Sequence, residues 1–252
     1  MTITLPSAVP PVDNACHHQV GCSSCGLRQL CLPDGFSDEE MRRLDQLVSS
    51  RRSLRRGEAL FRDGDPFHGI FAVRAGFFKT ATTSVDGRER VTGFQMGGEL
   101  LGLDGFDDET HRCDAVALES SQVCFIPQDA LEALSRTLPA LQRQLHRILS
   151  REIVREHGVM TLLSGMRAEE RVAAFLVNLA LRLKARGFSP SAFVLRMTRQ
   201  EIGSYLGLKL ETVSRTFSRF ADEGILEVEQ RHVRILDVER LQAILAQPGG
   251  TF

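Results

Sequence analysis

Three thiols stand close together near the start of the chain. Cys22-Ser-Ser-Cys25-Gly-Leu-Arg-Gln-Leu-Cys31 spaces them as C-x2-C-x5-C. Thiolates this near one another can converge on one metal centre without a long ordered scaffold. Near the other end, Thr198 to Phe220 carries charged and hydroxyl side chains in the pattern a DNA-reading helix needs. Thr198-Arg199-Gln200-Glu201 is a capping box that starts a first helix, with Ile202, Tyr205 and Leu206 on its apolar face. Gly207-Leu208-Lys209 is the turn, and Gly207 suits a left-handed backbone. A second helix starts near Leu210. Val213, Phe217 and Phe220 share its core face, while Glu211, Ser214 and Arg215 face outward together by its N-terminus. A recognition helix meets base edges there. Arg can donate twice to guanine, Glu can accept from cytosine, and Ser can do either. Thr212 and Arg219 are better placed for phosphates, which add affinity but little sequence information.

The metal chemistry divides two ways. Zinc takes four ligands and commonly uses C-x2-C with a second Cys or His pair. Iron–sulfur clusters are held by Cys thiolates at more varied spacing. Either needs a fourth ligand, and no second C-x2-C pair exists. Cys16, His17, His18, Cys113 and Cys124 are the candidates, and spacing alone leaves zinc and iron–sulfur even. A lone Cys in a strand is usually a small core residue, and both Cys113 and Cys124 read that way too.

Several elements must position these groups. Residues 1 to about 15 are Pro- and Ser-rich and read as disordered, and Pro33-Asp34-Gly35 reads as a turn. Ser37 and Glu40 form a second capping box, followed by Met41, Leu44, Leu47 and Val48 at helical spacing. From about Arg55 to Pro127, short apolar runs alternate with Gly-rich turns. Asp86-Gly87 between Phe77–Thr83 and Arg90–Gln95 predicts a hairpin, and the whole predicts a small antiparallel barrel or β-roll. The strand Gln122–Pro127 sets Cys124 on the side of Gln122 and Ile126. Pro139 to Met166 reads as one long helix. Its apolar stripe is interrupted by Glu152, Arg155, Glu156 and His157, as in a weak dimer seam around Glu152, Ile153, Glu156 and Val159. A core helix laid across the barrel would show a similar stripe. Glu169–Arg186 is amphipathic, and the runs Ile225–Val228 and His232–Ile235 after the second DNA-reading helix form a wing. The expected fold class is α+β. Its parts are an arm and cysteine segment at 1–35, a β-roll at 36–138, a dimerisation helix at 139–166 and a winged helix-turn-helix at 167–252.

The chain has 252 residues with 42% hydrophobic and 25% charged content, as a well-packed water-soluble protein has. No apolar run is long enough to span a bilayer, and the N-terminus lacks the basic and apolar regions of a secretory signal. The expected place is the cytoplasm, where thiols favour metal or redox roles over disulfides. Net charge is only -1, so nucleic-acid contact must come from a local arrangement. No nucleophile–base set and no phosphate-binding loop appears, so an enzyme is not expected.

Taken together, these motifs resemble the FNR-type anaerobic regulators of the cyclic-AMP receptor protein (CRP/FNR) superfamily. The residues that carry the likeness are the cysteine spacing, Glu169-Glu170-Arg171 with Ala173-Ala174-Phe175, Gly203–Leu208, and Glu211-Thr-Val-Ser214-Arg215. The resemblance implies a cyclic-nucleotide-binding-like β-roll and a [4Fe–4S] cluster on Cys22, Cys25, Cys31 and a remote cysteine. The remote one matches Cys124 in Glu119-Ser-Ser-Gln-Val-Cys124-Phe-Ile-Pro127, and not Cys113. It implies a homodimer that reads a palindrome of the form TTGAT-N4-ATCAA through Glu211, Ser214 and Arg215, and that releases DNA when oxygen converts the cluster. It implies contact between RNA polymerase and the loop Val85–Glu89. Cyclic-nucleotide relatives hold ribose and phosphate with a Gly-Glu-Leu segment and an Arg-Ser pair. Here Arg112-Cys113 keeps the arginine, while Leu103 falls near the ribose-binding glutamate and Glu99 is a near-match elsewhere. A CRP-like nucleotide-responsive regulator with a structural zinc or redox-thiol site is the alternative.

Overall fold

The computed structural model describes residues 22–25, 27, 31, 36–48 and 50–245. The expectations for residues 1–15, for Cys16, His17 and His18, and for the turn at Pro33-Asp34-Gly35 lie outside the described residues.

Helix α1 (Asp38–Leu47) begins at the Ser37 box: Glu40 N donates to Ser37 Oγ at 3.3 Å, and Ser37 N donates to Glu40 Oε2 at 2.8 Å. Eight strands follow: β1 (Ser50–Leu54), β2 (Ala59–Phe61), β3 (Gly69–Ala75), β4 (Phe77–Thr83), β5 (Glu89–Met96), β6 (Leu100–Leu101), β7 (Asp114–Ala117) and β8 (Ser121–Pro127). They form two antiparallel four-stranded sheets, ordered β1-β8-β3-β6 and β2-β7-β4-β5. Leu54, Phe61, Val73, Phe78, Leu101 and Val123 pack between the sheets. Alternation along β8 matters most. Val123 points into that core and is fully buried, so Cys124 points to the outer face. There α1, α2 (Gln128–Thr137) and the start of α3 (Pro139–Gly165) cover the sheet with Met41, Leu44, Leu131, Leu138 and Leu141.

The sequence did not foretell α2. It leaves β8 through Pro127 with no side-chain cap, so the usual start signal is missing. Helix α4 (Ala168–Lys184) opens the C-terminal region. Strand β9 (Ala192–Val194), α5 (Arg199–Leu206), α6 (Leu210–Asp222), β10 (Leu226–Glu229), β11 (His232–Ile235) and α7 (Val238–Ala243) complete it. Strand β9 is three residues long and exists through its pairing with β11, a tertiary contact that local sequence does not display. Val172, Leu176, Ile202, Leu206, Val213 and Phe220 form the core here, each worth about 1.5–3 kcal/mol when fully buried. That core continues into the roll through Val91, Phe94 and Met96 of β5. Among the described residues, no helix is long and apolar enough to cross a membrane.

Candidate metal centre and nucleic-acid interface

The cysteine segment is anchored at two points. Ser23 donates from its backbone N (2.9 Å) and its Oγ (2.7 Å) to the Asp45 carboxylate on α1. Gln144 of α3 donates to the Cys31 carbonyl at 3.3 Å. A single turn of 3-10 helix, Cys22–Ser24, brings Cys25 N to Cys22 O at 3.2 Å. The result is that Cys22, Cys25, Cys31 and Cys124 line one cavity of about 80 Å³, walled by apolar side chains such as Leu27, Leu44 and Ile70. Strand register delivers Cys124, which pairs with Arg51 on β1 and Ala72 on β3.

Burial pushes the Cys22 thiol up to about 11 and the Cys31 thiol up to about 12, and neighbouring thiols add to both shifts. Burial also raises Cys124, although Arg51 and Arg74 pull the other way. Arg186 acts likewise on Cys31. Burial therefore favours the protonated thiols of Cys22, Cys31 and Cys124, with three guanidiniums acting against it. Ligation to a metal would expel the protons, and the cations would offset the thiolate charge. Among the described residues, no three His, Cys, Asp or Glu side chains stand close enough to share a single ion. Cys113 does not line this cavity. Its Sγ donates to Asp104 Oδ2 at 3.5 Å, and burial followed by the Asp104 charge drives the thiol far above its ordinary value.

The helix-turn-helix follows from local signals. Glu201 N donates to Thr198 Oγ1 at 3.1 Å, and Thr198 N donates to Glu201 Oε2 at 2.7 Å. Gly207 takes the left-handed φ of 64° and ends α5. On α6, Val213, Thr216, Phe217 and Phe220 are buried, Glu211 and Arg215 are exposed, and Thr212 and Ser214 are half-buried. Arg219 is exposed and pairs with Glu169 and with Glu223 at 2.8 Å. Arg199 was not foreseen. Its guanidinium lies 3.5 Å over the Phe217 ring, and burial draws its pKa down to about 10. Among the described residues no carboxylate pairs with it. Only the fold shows this, because Phe217 is far along the sequence on the next helix.

On α3, Leu149, Ile153 and Met160 share one face and are exposed by 37%, 56% and 65%. Glu156 borders that stripe, and Val159 is half-buried on the packed side. Glu152 faces its own chain: burial raises its carboxyl, and Arg155, Glu156, Glu99 and Arg182 also act on it.

Residues 51–137 match the cyclic nucleotide-binding domain, and residues 170–244 match the Crp-like helix-turn-helix domain. The transcriptional activator protein anr of Pseudomonas aeruginosa is 50% identical over 226 residues, 90% of this chain and 93% of that protein. The chain belongs to the CRP/FNR family, as an FNR-type transcription regulator. The fumarate and nitrate reduction regulatory protein of Yersinia pestis is 40% identical, with 92% of each chain covered. Among solved structures, FixK2 from Bradyrhizobium japonicum superposes with a TM-score of 0.73 at 30% identity, over 79% of this chain and 98% of that one. Proteins of the CRP/FNR family are DNA-binding regulators and not enzymes. Where nucleotide-binding relatives in the family keep a phosphate-holding arginine, Arg112 here is exposed and paired with Asp108. Its backbone N donates to Asp104 at 2.7 Å.

Proposed function

We propose that the protein is an oxygen-responsive regulator, mainly an activator, of genes for low-oxygen growth. It works in the cytoplasm as a homodimer on a palindrome of the TTGAT-N4-ATCAA form and contacts RNA polymerase. The observation that carries this reading is the meeting of Cys22, Cys25, Cys31 and Cys124 on one largely apolar cavity that Arg74 also lines, with the charges of Arg51 and Arg186 acting on Cys124 and Cys31. Four thiols around a space wider than one ion suit a [4Fe–4S] cluster better than a single zinc. When bound, the cluster supplies an iron–sulfur centre that oxygen can attack. The chain's own part is to fix the cysteine segment to α1 through Asp45 and to α3 through Gln144, on the same cavity as Cys124 of β8.

The exposed stripe Leu149, Ile153 and Met160 supports a seam between two copies, with Glu156 at its edge as the weakening charge. Glu211, Ser214 and Arg215 serve base readout, and Thr212 serves phosphate. Arg199, which stacks on Phe217 of α6 and has no carboxylate partner among the described residues, joins Thr212, and Arg219 contributes less because its partners are taken. The loop Val85–Glu89, with Val85 fully exposed, is the polymerase-facing surface.

The deciding experiment is the visible spectrum of anaerobically purified protein, with iron and acid-labile sulfide measured before and after air. A brown chromophore with both elements, lost in air together with DNA binding, is expected. Zinc at one per chain with no sulfide would refute the reading in favour of the zinc-containing alternative.

A further inference from the structure

A half-buried ion cluster joins three parts of the chain that the dimer seam does not involve. Glu99 lies in the turn between β5 and β6. Its carboxylate accepts from Arg182 Nε (3.0 Å) and Nη2 (2.6 Å), from Arg186 Nη2 (2.6 Å) and from Met96 N (3.0 Å). The same two arginines donate to the roll's backbone: Arg182 to Phe94 O and Arg186 to Gly97 O, both at 2.5 Å. Arg182 is on α4 and Arg186 just beyond it, at the head of the DNA-binding region. The cysteine segment meets this clasp at Gly97. Leu27 packs on Gly97, its Cδ1 3.0 Å from where a Cβ would stand. The Arg186 side chain, 6% exposed, lies close enough to Cys31 for the two groups to feel each other's charge.

We propose that Glu99, Arg182 and Arg186 are positioning residues that transmit the state of the cysteine site to the DNA-binding region within a single chain. The inference rests on the cluster reading above. An ordered cysteine segment seats Leu27 on Gly97, whose carbonyl Arg186 holds, and so keeps the Arg186–Glu99 bond in place. A displaced segment takes Leu27 off Gly97 and withdraws that support. The end of α4 is thus held on the roll when the site is filled and freed when it is empty. Guanidinium–carboxylate bonds are directional, so the clasp fixes orientation as well as contact.

The test uses the full chain with Glu99→Gln and, separately, Arg186→Ala. Iron, sulfide and sedimentation are measured first, so a missing cluster, which would sink the proposed function, is read apart from a missing relay. With cluster and dimer retained, specific DNA affinity should fall on the order of tenfold. Amide exchange over residues 182–188 should rise to the level that the wild type reaches only after cluster removal. Variants that keep cluster, dimer, DNA affinity and slow exchange would overturn the relay. The wild type gives an outcome even if both variants misfold. Exchange over 182–188 and 89–101 must quicken when its cluster is removed, and identical exchange in the two states would end the proposal.

Discussion

Gly203 is the place where a single added methyl group should separate DNA binding from sensing. It sits inside α5, buried, where the turn folds back: Leu208 N donates to Gly203 O at 2.8 Å. A Cβ there would stand 2.6 Å from Leu208 O, against 3.4 Å for ordinary contact, and 3.5 Å from Val213 Cγ2. The obstacle is backbone and cannot rotate away, so the turn leading into α6 must shift. Overpacking of this kind costs about 1–3 kcal/mol. Replacing Gly in a helix interior returns about 0.5–1 kcal/mol. Gly203→Ala should therefore be destabilised by roughly 1–2 kcal/mol net. The larger effect is on DNA. A displaced α6 loses bidentate base contacts, each worth about 1–3 kcal/mol, so specific affinity should drop by about tenfold to a hundredfold. Anaerobic fluorescence anisotropy on specific and scrambled duplexes measures this, with iron content as the check that sensing is intact. Gly158→Ala is the control, because nothing lies within 4 Å of its added methyl in α3. It should gain about 0.5–1 kcal/mol of stability and bind DNA as the wild type does. A Gly203→Ala protein with full DNA affinity and an unchanged melting temperature would refute the packing argument.

Cys124→Ser should lose the anaerobic iron and sulfide, and Cys113→Ser should keep both; the reverse result in metal analysis would reassign the fourth ligand. Arg215→Ala should cost about 1–3 kcal/mol on the specific duplex and relax preference at one guanine. Arg199→Ala should instead weaken all sequences alike and lessen the salt dependence of binding, as a phosphate contact does. For Glu201, burial raises the carboxyl, but Thr198 and Lys79 outweigh it and hold the net value below the ordinary 4.5. A lowered acid stabilises the fold above its ordinary pKa and stops doing so as pH falls through the lower folded value. The melting-temperature advantage of wild type over Glu201→Gln should thus be present at neutral pH and vanish on acidification below about 4.5, and an advantage that grows in acid would contradict it. Glu156→Ala should sediment as a dimer in air without iron, and a monomer would place the weakening charge elsewhere.

Features encoded by neighbours in sequence were legible. The boxes at Ser37 and Thr198, the left-handed Gly207 and the hairpin around Asp86-Gly87 each depend on residues a few positions apart. The outward trio on α6 followed from helical period alone. What stayed hidden depends on register and packing. Motif spacing does not bring Cys124 to the other three thiols; the pairing of β8 with β1 and β3 does. Arg182 and Arg186 read as the polar side of an amphipathic helix until Glu99 is seen against them. Glu152 and Glu156 looked equivalent in sequence, yet one helical step turns Glu152 toward its own chain. The resemblance to a family supplied the candidate for a fourth ligand that spacing left open.

The energetics of α3 explain why one carboxylate can matter so much in the proposed dimer. Leu149, Ile153 and Met160 are about half exposed in the single chain. Full burial of such side chains is worth about 1.5–3 kcal/mol each, so covering the exposed halves in two copies yields roughly 5–9 kcal/mol. Association costs about 4–15 kcal/mol in lost freedom. The seam is therefore near balance before any charge is counted. Glu156 borders the stripe, and its copy across a two-fold axis would add repulsion and the desolvation of two carboxylates, several kcal/mol in the wrong direction. A bias of about 5 kcal/mol moves a two-state equilibrium across nearly its whole range. Ordering of the cysteine segment against Gln144 at the head of the same helix acts within that range, and so does removal of the carboxylate. Both should shift the dimer by similar amounts and should not add once the dimer is saturated. Sedimentation of Glu156→Ala with and without iron should therefore show little difference, where the wild type shows a large one.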